Sequence, residues 1–165
     1  MIVHLDSTRY IWEVLENQEY AFLFEGLEVL DLGCNIGAFS LWIYPRAKRI
    51  YAVDQDLTCI NHFNDTIRDN DLKNVKTFHT AIRNEDTLAS FMSGNGIKHI
   101  DVLKMDIEGD ELSVVEAKDF PAYLINAIIG ELHYQDQRRD AFAWRLTELG
   151  YRYTELPNNH FIARK

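Results

Sequence analysis

The sequence predicts an α/β fold: a seven-stranded, mostly parallel sheet with helices on both faces, closed by an antiparallel hairpin. Three observations lead there. From Leu27 onward, short apolar runs alternate with stretches of helical periodicity, and strand, helix, strand repetition implies parallel strands covered on both sides. The first apolar run leads through a glycine-bearing turn into a helix, the arrangement in which α/β sheets place ligands. The chain closes on two short runs separated by Pro157-Asn158-Asn159, a turn composition that joins antiparallel strands.

The elements follow in order. Tyr10 to Phe24 places Ile11, Val14, Leu15 and Phe22 at roughly helical spacing, which predicts one or two amphipathic helices in an N-terminal extension, residues 1–26. Strands are predicted at Glu28–Leu32, Ile50–Val53, Val75–Thr80, Ile100–Met105 and Ala127–Leu132. Helices are predicted at Phe39–Tyr44, Leu57–Asp69, Glu85–Met92, Glu111–Ala117 and Asp136–Leu149, each with an apolar face to lay on the sheet. Gly150 stops the last of these, and Tyr151–Glu155 and His160–Arg164 form the hairpin. With 165 residues, 47% of them hydrophobic, the expectation is one domain whose core spans 27–165.

Charge narrows the partners. Seventeen basic against 26 acidic residues give a formal net charge of −9, so the phosphate attraction behind general nucleic-acid binding is missing. The short basic strip Arg46 to Arg49 reads as a solvated turn. Cys34 and Cys59 have neither metal-ligand spacing nor the density of a disulfide scaffold, so a reducing, cytoplasmic setting is expected. The first residues lack the pattern of an export signal, and no run approaches the ~18 apolar residues of a spanning helix.

The turn after the first strand, Asp31-Leu32-Gly33-Cys34-Asn35-Ile36-Gly37, carries the first chemistry. Glycines permit positive φ and close ligand approach, and the amides of the following helix can hold a carboxylate. A dinucleotide fingerprint would need glycine at positions 35 and 38, where the chain has Asn35 and Ala38, so a nicotinamide-dependent oxidoreductase is disfavoured. No Gly-Lys-Ser/Thr follows, which excludes a P-loop. Asp31 would repel phosphates but accept hydrogen bonds from an ammonium. Asp54 ends the second strand seventeen residues beyond Gly37, where an acid can take both ribose hydroxyls; Asp56, just before Leu57, competes for the ordinary role of helix cap.

A second acidic group closes the fourth strand. Lys104 lies inside a run that should be buried, where an unpaired ammonium is costly; Asp106, two residues on, and Glu131 on the next strand are its expected partners. It is read equally well as a structural ion pair or as a chemical group. Asp106 and Glu108 stand where the strand leaves the sheet, and His133 follows the fifth strand; these three are the candidate catalytic residues. Helix capping is the competing reading for the acids, and a surface hydrogen bond for the histidine.

These motifs together resemble the FkbM-type branch of class I S-adenosylmethionine-dependent methyltransferases. Asp31 to Gly37 is similar to the family's first motif, and Asp101-Val102-Leu103-Lys104-Met105-Asp106-Ile107-Glu108-Gly109-Asp110-Glu111 is similar to its hallmark Leu-Lys-x-Asp-x-Glu-Gly-x-Glu. Weaker matches are Ala81-Ile82, Glu131-Leu132-His133 and Leu149-Gly150-Tyr151. The resemblance implies a Rossmann-like methyltransferase fold and methyl transfer from S-adenosylmethionine, with a hydroxyl oxygen of a small molecule as acceptor. It implies Asp31, Gly33, Asn35, Gly37, Asp54, Gln55, Ala81 and Asp106 as cofactor-binding residues. The chain departs from the family at Asp54-Gln55, where Glu-Pro is common, and in its short N-terminal stretch, so the expectation is an acceptor-binding lid that is either reduced or supplied by a second copy or a partner subunit. A non-catalytic S-adenosylmethionine-binding subunit is the alternative. Asp106, Glu131 and His133 offer ligands for a divalent cation, but Lys104 neutralises one carboxylate, and the sequence favours a metal-free site with His133 as base near its reference pKa of about 6.5.

Overall fold

The computed structural model describes residues 24–83 and 87–165; the helices expected between Tyr10 and Phe24 lie outside the described residues but for Phe24. A seven-stranded, mixed sheet is distributed over two units, Met1–Ala81 and Ile82–Lys165. No helix among the described residues is long and apolar enough to cross a membrane.

The first unit holds β1 (Glu28–Leu32), α1 (Ala38–Ile43), β2 (Arg49–Asp54), α2 (Leu57–Asp69) and β3 (Val75–His79). Its strands lie in the order β3-β2-β1 and pair in parallel, Leu30 opposite Tyr51 and Val53 opposite Phe78. From Val29 to Leu32 every residue of β1 is buried, the continuous apolar run expected of a strand covered on both faces. Phe24, Phe39 and Trp42 pack edge to face or tilted at 5.6–6.0 Å. Asp56 caps α2 by accepting from the amides of Thr58 and Cys59 at 2.7 and 3.4 Å, so the capping role falls to Asp56 and releases Asp54.

The second unit holds α3 (Leu88–Gly94), β4 (Ile100–Met105), α4 (Glu111–Glu116), a 3₁₀ turn at Ala122–Leu124, β5 (Ile125–Glu131), α5 (Gln137–Glu148), β6 (Arg152–Glu155) and β7 (His160–Arg164). Its strands lie in the order β4-β5-β7-β6, parallel between β4 and β5 and antiparallel from β5 to β7 and β7 to β6. The hairpin turn has φ of +58° at Asn158 and +61° at Asn159, closed by the His160 amide donating to the Pro157 carbonyl at 3.2 Å. Two consecutive left-handed residues make the mirror-image turn whose twist suits a hairpin, and asparagine tolerates that conformation best after glycine. Phe142 of α5 meets Phe161 of β7 edge to face at 4.9 Å. Thr87 and Asp136 cap α3 and α5.

The bounds of β1, α2, β4 and β7 are those read from the sequence, and the other elements differ by one to three residues at one or both ends. Helix α3 runs from Leu88 to Gly94 rather than from Glu85 to Met92, because Thr87 supplies the cap that fixes its start. Strand β5 begins at Ile125, two residues early, since the 3₁₀ turn delivers the chain directly into the sheet.

Gly130 on β5 has no alternative. A Cβ there would lie 1.9 Å from the Met105 carbonyl oxygen and 3.1 Å from Phe161, so the end of β4 approaches β5 too closely for any side chain. Gly130→Ala is expected to lower unfolding free energy by about 1–3 kcal/mol through overpacking. Gly94→Ala, where nothing lies within 4 Å, should be neutral or stabilising by up to about 1 kcal/mol. Urea unfolding of the two variants checks the contrast.

Candidate functional site

In the first unit the candidate residues gather on the turn from β1 to α1. Gly33, Asn35 and Gly37 have φ of +75°, +49° and +89°. The amides of Gly33 and Cys34 donate to the Val53 carbonyl at 2.9 and 3.0 Å, tying the turn to the end of β2. Asn35 stands where a dinucleotide loop would have glycine, and it reaches the left-handed region by local hydrogen bonding: its Oδ1 accepts from the Ile36 amide at 2.7 Å. Gly37 is needed for a second reason, since a Cβ there would fall 2.3 Å from the Phe63 ring. No side chain caps α1.

Asp54 organises this turn. Its Oδ2 accepts from the Asn35 amide and its Oδ1 from the Asp56 amide, both at 2.8 Å. Each oxygen thus spends one acceptor position on the backbone and keeps another, which suits two neighbouring hydroxyls. Gln55 follows, exposed, with its carbonyl oxygen 3.0 Å from His79 Nε2; Ala81 lies half-buried beyond β3. Asp31 is 0% exposed and takes the Ser40 hydroxyl at 2.7 Å, which ties β1 to α1.

In the second unit the structure brings Asp106, Glu108 and His133 together. His133 Nε2 stands 3.5 Å from Asp106 Oδ1 and 3.7 Å from Glu108 Oε2. Lys104, 5% exposed, places Nζ 3.3 Å from Asp106 Oδ2, the partner its burial demands. Neither acid caps α4: its N-cap is Asp110, without a side-chain cap bond, and Asp110 is held by Arg83 at 3.1 Å. Glu108 and Gly109 have φ of +57° and +103°, so the chain turns sharply between strand and helix. Glu108 pays for that conformation with strain that glycine would avoid.

The residue that fixes this turn is Glu111. It is 0% exposed, and its Oε1 accepts from the amides of Ile107 and Gly109, both at 3.2 Å, and lies 2.9 Å from His133 Nδ1. Its Oε2 is buried without a hydrogen-bond partner among the described residues. Sequence reasoning passed over Glu111 as the first residue of a helix. The signal was its place as the last acid of the Asp-x-Glu-Gly-x-Glu run, one residue inside a helix with no side-chain cap.

This environment corrects one expectation. The hydrogen bond that His133 donates to Glu111, with added attraction from Glu111, Asp106 and Glu108, outweighs burial and raises the His133 pKa to about 9. At neutral pH the ring is an imidazolium and not a free base near 6.5. Beside it, Tyr134 is buried with its hydroxyl unpartnered among the described residues, and burial pushes the phenol up, so it stays neutral.

A family model described as the methyltransferase FkbM domain matches residues 6–153. Among curated proteins none matches the sequence. The fold is similar to precorrin-6y C5,15-methyltransferase from Geobacter metallireducens, with TM-score 0.63 and 13% identity over 90% of this chain and 85% of that one. It is similar to a SAM dependent methyltransferase from Aquifex aeolicus, with TM-score 0.55 and 17% identity over 96% and 92%. It is also similar to TrmK of M. capricolum, solved with S-adenosylhomocysteine, with TM-score 0.66 and 14% identity over 90% and 66%. At these identities the likeness is one of fold, the class I Rossmann-like methyltransferase fold.

The raised pKa has a defined sign. The folded-state value near 9 exceeds the unfolded value of about 6.5, so the stabilisation from the His133–Glu111 pair is fully present below pH ~6.5 and is lost as pH rises through about 9. Proton NMR titration of the His133 ring should give a midpoint near 9, and Glu111→Gln should bring it down towards the reference value. A midpoint near 6.5 in the unsubstituted protein contradicts the pairing.

Proposed function

The chain belongs to the FkbM-domain methyltransferase family, and from that membership we propose that it transfers a methyl group from S-adenosylmethionine to a hydroxyl oxygen of a small-molecule acceptor. The donor supplies an activated methyl on a sulfonium. The residues of the first unit fit it: Asp54 keeps an acceptor position on each oxygen for the two ribose hydroxyls, and Gly33, Asn35 and Gly37 let the backbone of the turn come close. Gln55 and Ala81 flank the adenosine side. Asp31 shapes the turn through Ser40.

The observation that carries the acceptor assignment is the grouping of Asp106, Glu108 and His133 around one point, with Glu111 behind them. A hydroxyl must lose a proton as its oxygen attacks, and grouped carboxylates offer that proton an acceptor. The carboxylates attract that proton, and His133 orients the Asp106 and Glu108 side chains. Lys104 holds Asp106 through its second oxygen. Transfer itself asks mainly for alignment of the acceptor with the methyl carbon.

Two variants separate donor binding from chemistry. Asp54→Ala should weaken S-adenosylhomocysteine binding by about 1–3 kcal/mol in calorimetry, through loss of charge-assisted hydrogen bonds. Glu108→Gln should leave that affinity unchanged and lower kcat by about 10²-fold or more. Donor binding with no turnover on any hydroxyl-bearing acceptor would instead support a non-catalytic binding subunit.

A further inference from the structure

We propose that Asp106 Oδ1, Glu108 Oε2 and His133 Nε2 bind one divalent cation with nitrogen and oxygen preference, manganese in type. The three ligand atoms lie within 4.8 Å of one another. The separations of 3.5 and 3.7 Å from Nε2 to the two oxygens are long for hydrogen bonds, yet near the roughly 3.0–3.4 Å between neighbouring ligands on an ion with bonds of about 2.1 Å. Small side-chain adjustments close that gap, and Glu108, with its side chain 83% exposed, is free to make them.

Glu111 supplies the independent observation. Glu111 is fully buried with Oε2 unpartnered among the described residues, which is costly, while its other oxygen, Oε1, faces the histidine of the cluster. With Nδ1–H donated to Glu111 Oε1 at 2.9 Å, the lone pair of the neutral ring sits on Nε2 and faces Asp106 and Glu108. A carboxylate behind a histidine whose other nitrogen faces two more carboxylates is the arrangement that orients metal-ligating imidazoles.

Charge agrees with the geometry. Asp106, Glu108 and Glu111 against Lys104 leave two negative charges in excess, which a divalent cation balances. In the ion-free protein, the Nε2 proton fills part of that role, and the cation takes its place. Lys104 contacts Oδ2 of Asp106 and leaves Oδ1 for the ion, so the lysine does not block the site as the sequence alone suggested. Asp110 is occupied by Arg83 and adds no net charge. Three protein ligands leave coordination positions open to an acceptor hydroxyl, whose proton the ion would acidify. That use rests on the hydroxyl-acceptor reading; the cation site does not.

The test is titration of the purified full chain with manganese, without donor or acceptor, following the free-ion electron paramagnetic resonance signal. The expected result is one manganese bound per chain. Glu108→Gln and His133→Gln should each weaken binding at least tenfold, and Glu111→Gln by roughly 10–100-fold, with unchanged circular dichroism. Glu108→Gln, on an exposed side chain, keeps the test decisive if the other variants fail to fold. Absence of binding at millimolar manganese, or binding unchanged in Glu108→Gln, overturns the site. Either outcome leaves S-adenosylhomocysteine binding, measured in the same samples, to report separately on the donor site.

Discussion

The buried carboxyl of Glu111 is the constraint on which the chemistry of this protein depends. A charge with no exposed surface must find its partners from within, and this one finds them through Oε1 alone, in the Ile107 and Gly109 amides and His133. Those three contacts fold the chain back at the end of β4, hold the turn in which Glu108 is left-handed, and draw His133, two residues past β5, towards the turn that follows β4. Gly130 permits the same closeness one layer down, because β5 carries no side chain against the Met105 carbonyl.

The turn after β1 is organised by the same physics with different parts. There the carboxylate is Asp54, the amides are those of Asn35 and Asp56, and the left-handed residue outside glycine is Asn35. In each unit an acid beside a strand end gathers backbone N–H groups and converts a flexible turn into a fixed one. The difference is exposure. Asp54 keeps acceptor capacity open for a ligand, whereas Glu111 is sealed and acts through His133.

Much of this was legible in the sequence because it depends on residue type at a spacing. The alternation of apolar runs gave the succession of elements along the chain, and Asp54 stood out by its distance from Gly37. Lys104 announced its need for Asp106 by lying in an apolar strand. Glu111 was hidden, since a glutamate opening a helix is ordinary and only the backbone shows it turning inward. The raised pKa of His133 followed from that same hidden contact. Asp31 was read as facing the ligand, and its Ser40 partner emerges only when α1 packs back on β1.

The central claim is that the cluster set by Glu111 directs methyl transfer to oxygen. The most direct measurement is mass spectrometry of products formed from a small-molecule extract and S-adenosylmethionine bearing a deuterated methyl group. A deuterated methyl ether is expected with the unsubstituted protein, and its loss in Glu111→Gln while S-adenosylhomocysteine binding persists. A label found on carbon or nitrogen, or undiminished transfer by Glu111→Gln, would contradict it.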